Sequence, residues 1–126
     1  MNAKQIIQTS AIFGAIAVGI GAFGAHGLKD ILAETGRIDT FETAVKYHFY
    51  HTLGLFLIGI LAIVKPNWKQ LSTAALLMII GILIFSGSLY ILSLTGITWL
   101  GAITPLGGVA LILGWGFLFL AVTKNP

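Results

Sequence analysis

The chain has 126 residues, of which 57% are hydrophobic and 9% charged, whereas ordinary soluble domains are about 25% charged. Seven basic and four acidic side chains cannot cover the surface of a water-soluble globule of this size, so lipid must be the solvent for most of the chain. The net charge of +3 arises from scattered positives without a basic run interleaved with aromatics, which removes the footprint of nucleic-acid binding, and the lack of cysteine excludes disulfides, thiolate metal sites and Cys-pair redox chemistry.

Residues 1–126 read as one all-α domain, an integral membrane up-down bundle of four transmembrane helices. Apolar stretches at about 6–25, 47–64, 71–94 and 97–122 are each near the length of about 20 residues that crosses the hydrocarbon core. The first could instead be a signal peptide, given Lys4 and the small residues around Ala22 and Gly24. Its apolar run exceeds a signal core of about 7–15 residues, however, and favours a retained span.

Residues 27–46 form the one substantial extramembrane loop. Gly27 suits a left-handed cap that closes the first helix. Leu28, Ile31 and Leu32 then follow at i, i+3 and i+4, with Lys29, Asp30 and Glu34 elsewhere. That pattern predicts a short interfacial helix ending at Gly36. Asp39 followed by Glu42 has the spacing of a capping box, so a long helix is expected to start near Thr40 and run into the second span. Glu42 and Lys46 would support it at i, i+4. The segment from Lys65 to Gln70, with Pro66, separates the second and third spans. Residues 93–98, around Gly96, separate the third and fourth. These short links make neighbouring spans antiparallel.

Lys4, Lys65, Lys69 and Lys124 fall at the end of the bundle that holds both termini, against Lys29, Arg37 and Lys46 at the other. The excess of lysine and arginine places both termini in the cytoplasm. Tyr47, Tyr50, Tyr90 and Trp99 then lie near the outer interface and Trp68 at the inner one, as belt aromatics do.

With this topology a polar subset gathers in the outer leaflet: His26, His48, His51, Ser86, Ser88, Tyr90 and Thr104. Ser86 and Tyr90 share a helix face at i, i+4, and His48 and His51 nearly do at i, i+3. Polar groups at membrane depth turn toward the bundle interior, because lipid cannot hydrogen-bond them. Three histidines could ligate zinc, but no carboxylate or cysteine shares their apolar surroundings, and structural histidine is the favoured reading; no metal and no cofactor are expected. Ser86 and Ser88 lack the Gly-x-Ser-x-Gly elbow of a serine hydrolase, and hydroxyls in membrane helices more often bond carbonyls or neighbouring helices. Thr104, just before Pro105, suits the same role at a proline kink. No Asp, Glu, Lys or Arg interrupts a span away from its ends, which disfavours a proton-driven exporter.

Small residues form rows that permit close helix approach: Ala11, Ala15 and Gly19; Ala17, Gly21 and Ala25; Ala110 and Gly114. They join helices either within one chain or between copies.

Four stretches carry a family resemblance: Gly21-Ala22-Phe23-Gly24-Ala25-His26-Gly27-Leu28, then Thr43-Ala44-Val45-Lys46-Tyr47-His48-Phe49-Tyr50-His51, and the pair Phe85-Ser86-Gly87-Ser88-Leu89-Tyr90 with Leu100-Gly101-Ala102-Ile103-Thr104-Pro105-Leu106-Gly107-Gly108. They resemble the bacterial membrane-protein family labelled domain of unknown function 423. The resemblance implies a four-helix protein of the bacterial cytoplasmic membrane and brings no activity with it. The expected function is that of a non-enzymatic accessory or scaffold protein whose partners are the lipid bilayer and either a second copy or another membrane protein. The alternative is a small-solute or ion pathway formed by a homo-oligomer. A lipid- or metal-binding enzyme using the histidines stands third.

Overall fold

The computed structural model describes all 126 residues. Its elements are α1 (Ala3–Ala25), α2 (Lys29–Thr35), α3 (Ile38–Val64), α4 (Gln70–Thr95), a 3-10 turn (Thr98–Ala102) and α5 (Thr104–Lys124). The structure contains no strand, and four of its helices are long and apolar enough to cross a membrane. At 1.5 Å per residue, the 23 residues of α1 span about 35 Å, enough for a hydrocarbon core about 30 Å thick.

The long helices pack in chain order, α1 on α3, α3 on α4 and α4 on α5, while α1 and α5 do not pack on each other. The core of Ile6, Leu55, Ile58, Leu71, Ala74, Ala75, Met78, Ile82, Leu111 and Ala121 draws on all four. Both termini return to the start of α4. The Met1 amine donates to Ser72 Oγ at 2.7 Å, and Asn125 Nδ2 donates to Gln70 Oε1 at 3.0 Å.

Two antiparallel seams set the helix register. Between α4 and α5, Met78 faces Gly114, Gly81 faces Leu111, Phe85 faces Gly107 and Ser88 faces Thr104. The residue numbers of each pair add to one total, as a constant antiparallel register requires. Steps of three and four alternate along both helices, which is the heptad spacing of a coiled-coil seam. Between α1 and α3, Ile7 meets Gly59, Gly14 meets Thr52 and Gly21 meets Val45, each one heptad apart. Without a hydrophobic force between helices in lipid, such small-to-large matching supplies the van der Waals contact that holds them.

The loop between the first two spans departs from expectation at two places. Gly27 does not adopt a left-handed conformation; the positive-φ glycines are Gly36 and Gly96. Instead Leu28 N–H reaches Phe23 O at 2.9 Å, and the Phe23 ring lies against Gly27, where a Cβ would come within 3.0 Å of it. Close approach rather than backbone sign explains that glycine. Gly36, at φ 68°, does end α2: Gly36 N–H bonds Ala33 O and Arg37 N–H bonds Leu32 O, completing a Schellman motif. The second departure is the start of α3. Asp39 is not a cap, because α3 begins at Ile38 after Arg37 and Asp39 lies inside its first turn. There Asp39 complements the helix dipole, and its carbonyl accepts from Thr43 Oγ1 at 3.0 Å. The side-chain capping box sits elsewhere, at Asn2 and Gln5 of α1.

The fourth apolar span runs from Thr98 to Lys124 and is made of two elements. Residues 98–102 make the 3-10 turn, and Pro105 stands in the first turn of α5. An amide there has no partner within the helix, so proline begins α5 and does not kink it. Interfacial α2 is anchored through Leu32, which is 2% exposed, and through Thr35 Oγ1, which donates to Ser93 O at 2.7 Å.

Candidate functional site

Among the buried residues of α3, Phe41, Ala44, His48, His51, Leu55 and Ile58 follow another alternation of three and four, with Thr52, Gly54 and Gly59 buried beside them. Both histidines therefore occupy the core stripe of the helix. His48 Nδ1 lies 2.8 Å from the Tyr90 hydroxyl on α4, and the rings of Phe13 and Phe41 close over the pair, Phe13 edge-on to His48 at 6.2 Å and Phe41 tilted against Tyr90 at 5.5 Å. Tyr90 is thus an internal partner and not a belt residue. Tyr50 and Trp99 do stand exposed.

His48 and Tyr90 form the back wall of a groove of about 170 Å³ between α1 and α4, whose sides are Phe13, Ile16, Ile20, Ile82 and Leu83. Ser86 also borders it, but its hydroxyl donates across the helix contact to Ala44 O at 2.8 Å. The other hydroxyls belong to a different contact. Ser88 Oγ and Thr104 Oγ1 lie 2.6 Å apart in the α4–α5 seam, and each also lies near a carbonyl of its preceding turn, Phe85 O at 3.0 Å and Leu100 O at 3.3 Å. His51 donates its Nδ1 proton to Tyr47 O at 2.8 Å, stacks on the Tyr47 ring and meets the edge of Trp115.

The seven polar residues therefore lie at three separate places plus one outlier, and only two pairs among them, His48 with Tyr90 and Ser88 with Thr104, are bonded to each other. His48, Tyr90 and Ser86 border one groove, Ser88 pairs with Thr104, and His51 sits between Tyr47 and Trp115. His26 is exposed after the end of α1 and joins none of them. Three buried polar residues were not singled out in the sequence. Ser10 donates to Ile7 O, Ser93 donates to Leu89 O, and Thr52 Oγ1 has no partner although it is buried between helices. The signal for Thr52 is its spacing, one turn beyond His48 and a heptad before Gly59.

The small-residue positions also divide. Ala17, Gly21, Ala110 and Gly114 lie in helix contacts within the chain. Ala11, Ala15, Gly19 and Ala25 are exposed, and a Cβ at Gly19 would meet nothing within 4 Å. Chemically, the arrangement holds helices together: Ser86 is committed to a carbonyl, and no serine or threonine hydroxyl is bonded to a histidine. No three His, Cys, Asp or Glu side chains converge in a group that could hold a metal ion.

The model of a family described as protein of unknown function, DUF423, matches residues 20–108. The chain is 49% identical to the UPF0382 membrane protein YwdK of Bacillus subtilis, across 96% of this chain and 98% of that protein. It is 45% identical to a UPF0382 membrane protein of Staphylococcus epidermidis, across 96% and 97%. It is 44% identical to UPF0382 membrane protein SH2409 of Staphylococcus haemolyticus, again across 96% and 97%. No solved structure matches the chain. Four apolar spans, the motifs that surround the histidines and the α4–α5 seam, and full-length similarity to proteins named as membrane proteins lead to one assignment: the chain is a multi-pass membrane protein of the DUF423 family.

Proposed function

We propose that this protein is a non-enzymatic accessory or scaffold protein of the bacterial cytoplasmic membrane, with both termini on the cytoplasmic side. The observation that carries the reading is how the membrane-depth polar groups are used. Ser86, Ser88, Thr104, His48 and His51 are bonded to a neighbouring helix or to their own backbone. A catalytic or conducting site needs such groups turned toward a substrate or a water path. Packing needs them turned toward each other.

The partner surface belongs to α1. This helix packs on α3 with its Gly14 and Gly21 side and leaves Ala11, Ala15 and Gly19 facing outward beside Ile12 and Ile16. A second membrane helix, from another copy or another protein, can approach closely along that row. Single cysteines at Ala11, Ala15 and Gly19 test this in native membranes, because the chain has none of its own. We expect oxidative or bifunctional crosslinks to a discrete membrane partner at these positions and none at Ala17, which is fully buried within the chain. Absence of adducts at all three, together with water-accessible cysteines at Ser86 and Thr104, would favour a solute pathway instead.

A further inference from the structure

At the end of the bundle that carries the termini, a cavity of about 460 Å³ lies between the start of α1 and the connector from α3 to α4. Three of the seven lysine and arginine residues line it, Lys4, Lys65 and Lys69, and none of the four acids does. Asp30, Glu34, Asp39 and Glu42 all sit in the 27–46 segment at the opposite end of α1. A rule of topology asks only that lysines stand near helix ends. Their gathering around one cavity goes further.

The cavity has two more properties of an anion site. The N-termini of two long helices open on it, α1 through Asn2 and Ala3 and α4 through Lys69 and Ser72; the Asn2–Gln5 capping box already serves α1, whereas α4 begins without a side-chain cap. Uncapped first-turn amides and the positive end of the helix dipole favour negative charge. The wall toward the membrane is apolar, made by Ile6, Ala62, Ile63 and Leu71, and Trp68 lies at the rim with Lys65 Nζ 5.5 Å from its ring. That cation–π contact holds one of the charges in place.

We propose that this cavity binds a phosphate-bearing anion, with Lys4, Lys65 and Lys69 on the phosphate oxygens and the apolar wall receiving whatever hydrocarbon the phosphate carries. The phosphate belongs either to an anionic phospholipid headgroup or to a soluble phosphate compound, and the two are separable by experiment.

The full chain in neutral detergent is titrated with phosphatidylglycerol, with phosphatidylcholine, with inorganic phosphate, and with chloride at matched ionic strength, while its Tm is followed. We expect phosphatidylglycerol or phosphate to raise the Tm and phosphatidylcholine and chloride to leave it unchanged. A response to phosphatidylglycerol alone identifies the lipid headgroup as the source, and a response to phosphate alone identifies a soluble compound. One lysine near an anionic surface is worth about fivefold in binding. Lys65→Gln should therefore weaken the response about fivefold, and Lys4→Gln, Lys65→Gln and Lys69→Gln together about a hundredfold. Lys124→Gln, at the same end but outside the cavity, should stay within about twofold of the parent. The proposal is overturned if neither phosphate probe moves the Tm, or if Lys124→Gln weakens the response as much as Lys65→Gln.

Discussion

Replacing Gly107 with alanine tests the α4–α5 seam at its tightest point. A methyl group there would lie 2.8 Å from Phe85 Cα and 2.9 Å from Phe85 Cβ, and closer still to the Phe85 amide nitrogen. Carbon atoms prefer separations of about 3.5–4.0 Å, so the helices must part by about 1 Å. Two of the three obstructing atoms belong to the backbone, so no side-chain rotation relieves the clash. Overpacking of this kind costs about 1–3 kcal/mol, and exchanging a helical glycine for alanine returns about 1 kcal/mol. With a backbone obstacle the cost lies at the upper end, which leaves a net loss of about 2 kcal/mol. Gly116→Ala is the matched control, since a methyl there meets nothing within 4 Å, and it should be neutral or stabilising by up to about 1 kcal/mol. Reversible SDS unfolding in bicelles, followed by circular dichroism, measures both. A Gly107→Ala protein as stable as the parent would refute the close packing of α4 on α5.

Other expectations follow from particular bonds. Thr52→Val removes a buried hydroxyl that has no partner while keeping its shape, so the same unfolding assay should show a gain of about 1 kcal/mol; a loss would mean that the hydroxyl is bonded. Tyr90→Phe deletes the partner of His48 Nδ1. A double-mutant cycle with His48→Phe should give a coupling of about 0.6 kcal/mol, as hydrogen bonds between membrane helices do, and zero coupling would dissolve the pair. For topology, cysteines at Glu34 and Arg37 should react with an impermeant thiol reagent from outside intact cells, and one at Gln70 only after permeabilisation. The reverse pattern would invert the orientation.

Composition and hydropathy were enough to read the four spans, because lipid imposes length and apolarity on every spanning helix regardless of its neighbours. Local chemistry was readable only where the competing options are few. Gly36 ends α2 as expected, since a left-handed residue after a short helix has few substitutes for glycine. Gly27 looked equivalent, but its reason for being glycine is the Phe23 ring, a contact no local pattern records. Asp39 and Glu42 have the capping spacing, yet α3 starts at Ile38 and absorbs them. Rows at intervals of four pick out the outward Ala15 and Gly19, whereas the packing repeats at seven and brings in Gly59, Gly81 and Gly107, which no such row contains. The alternation from Phe41 to Ile58 was present in the sequence and would have placed both histidines in the core stripe and left His26 apart.

The central claim is that the membrane-depth hydroxyls join helices and do not line a water path or an active site. Its most direct test is the thiol reactivity of Ser86→Cys and Thr104→Cys in native membranes, compared with Glu34→Cys on the exposed surface. We expect the first two to stay unmodified while the third reacts fully. Modification of both at the rate of Glu34→Cys would contradict the claim.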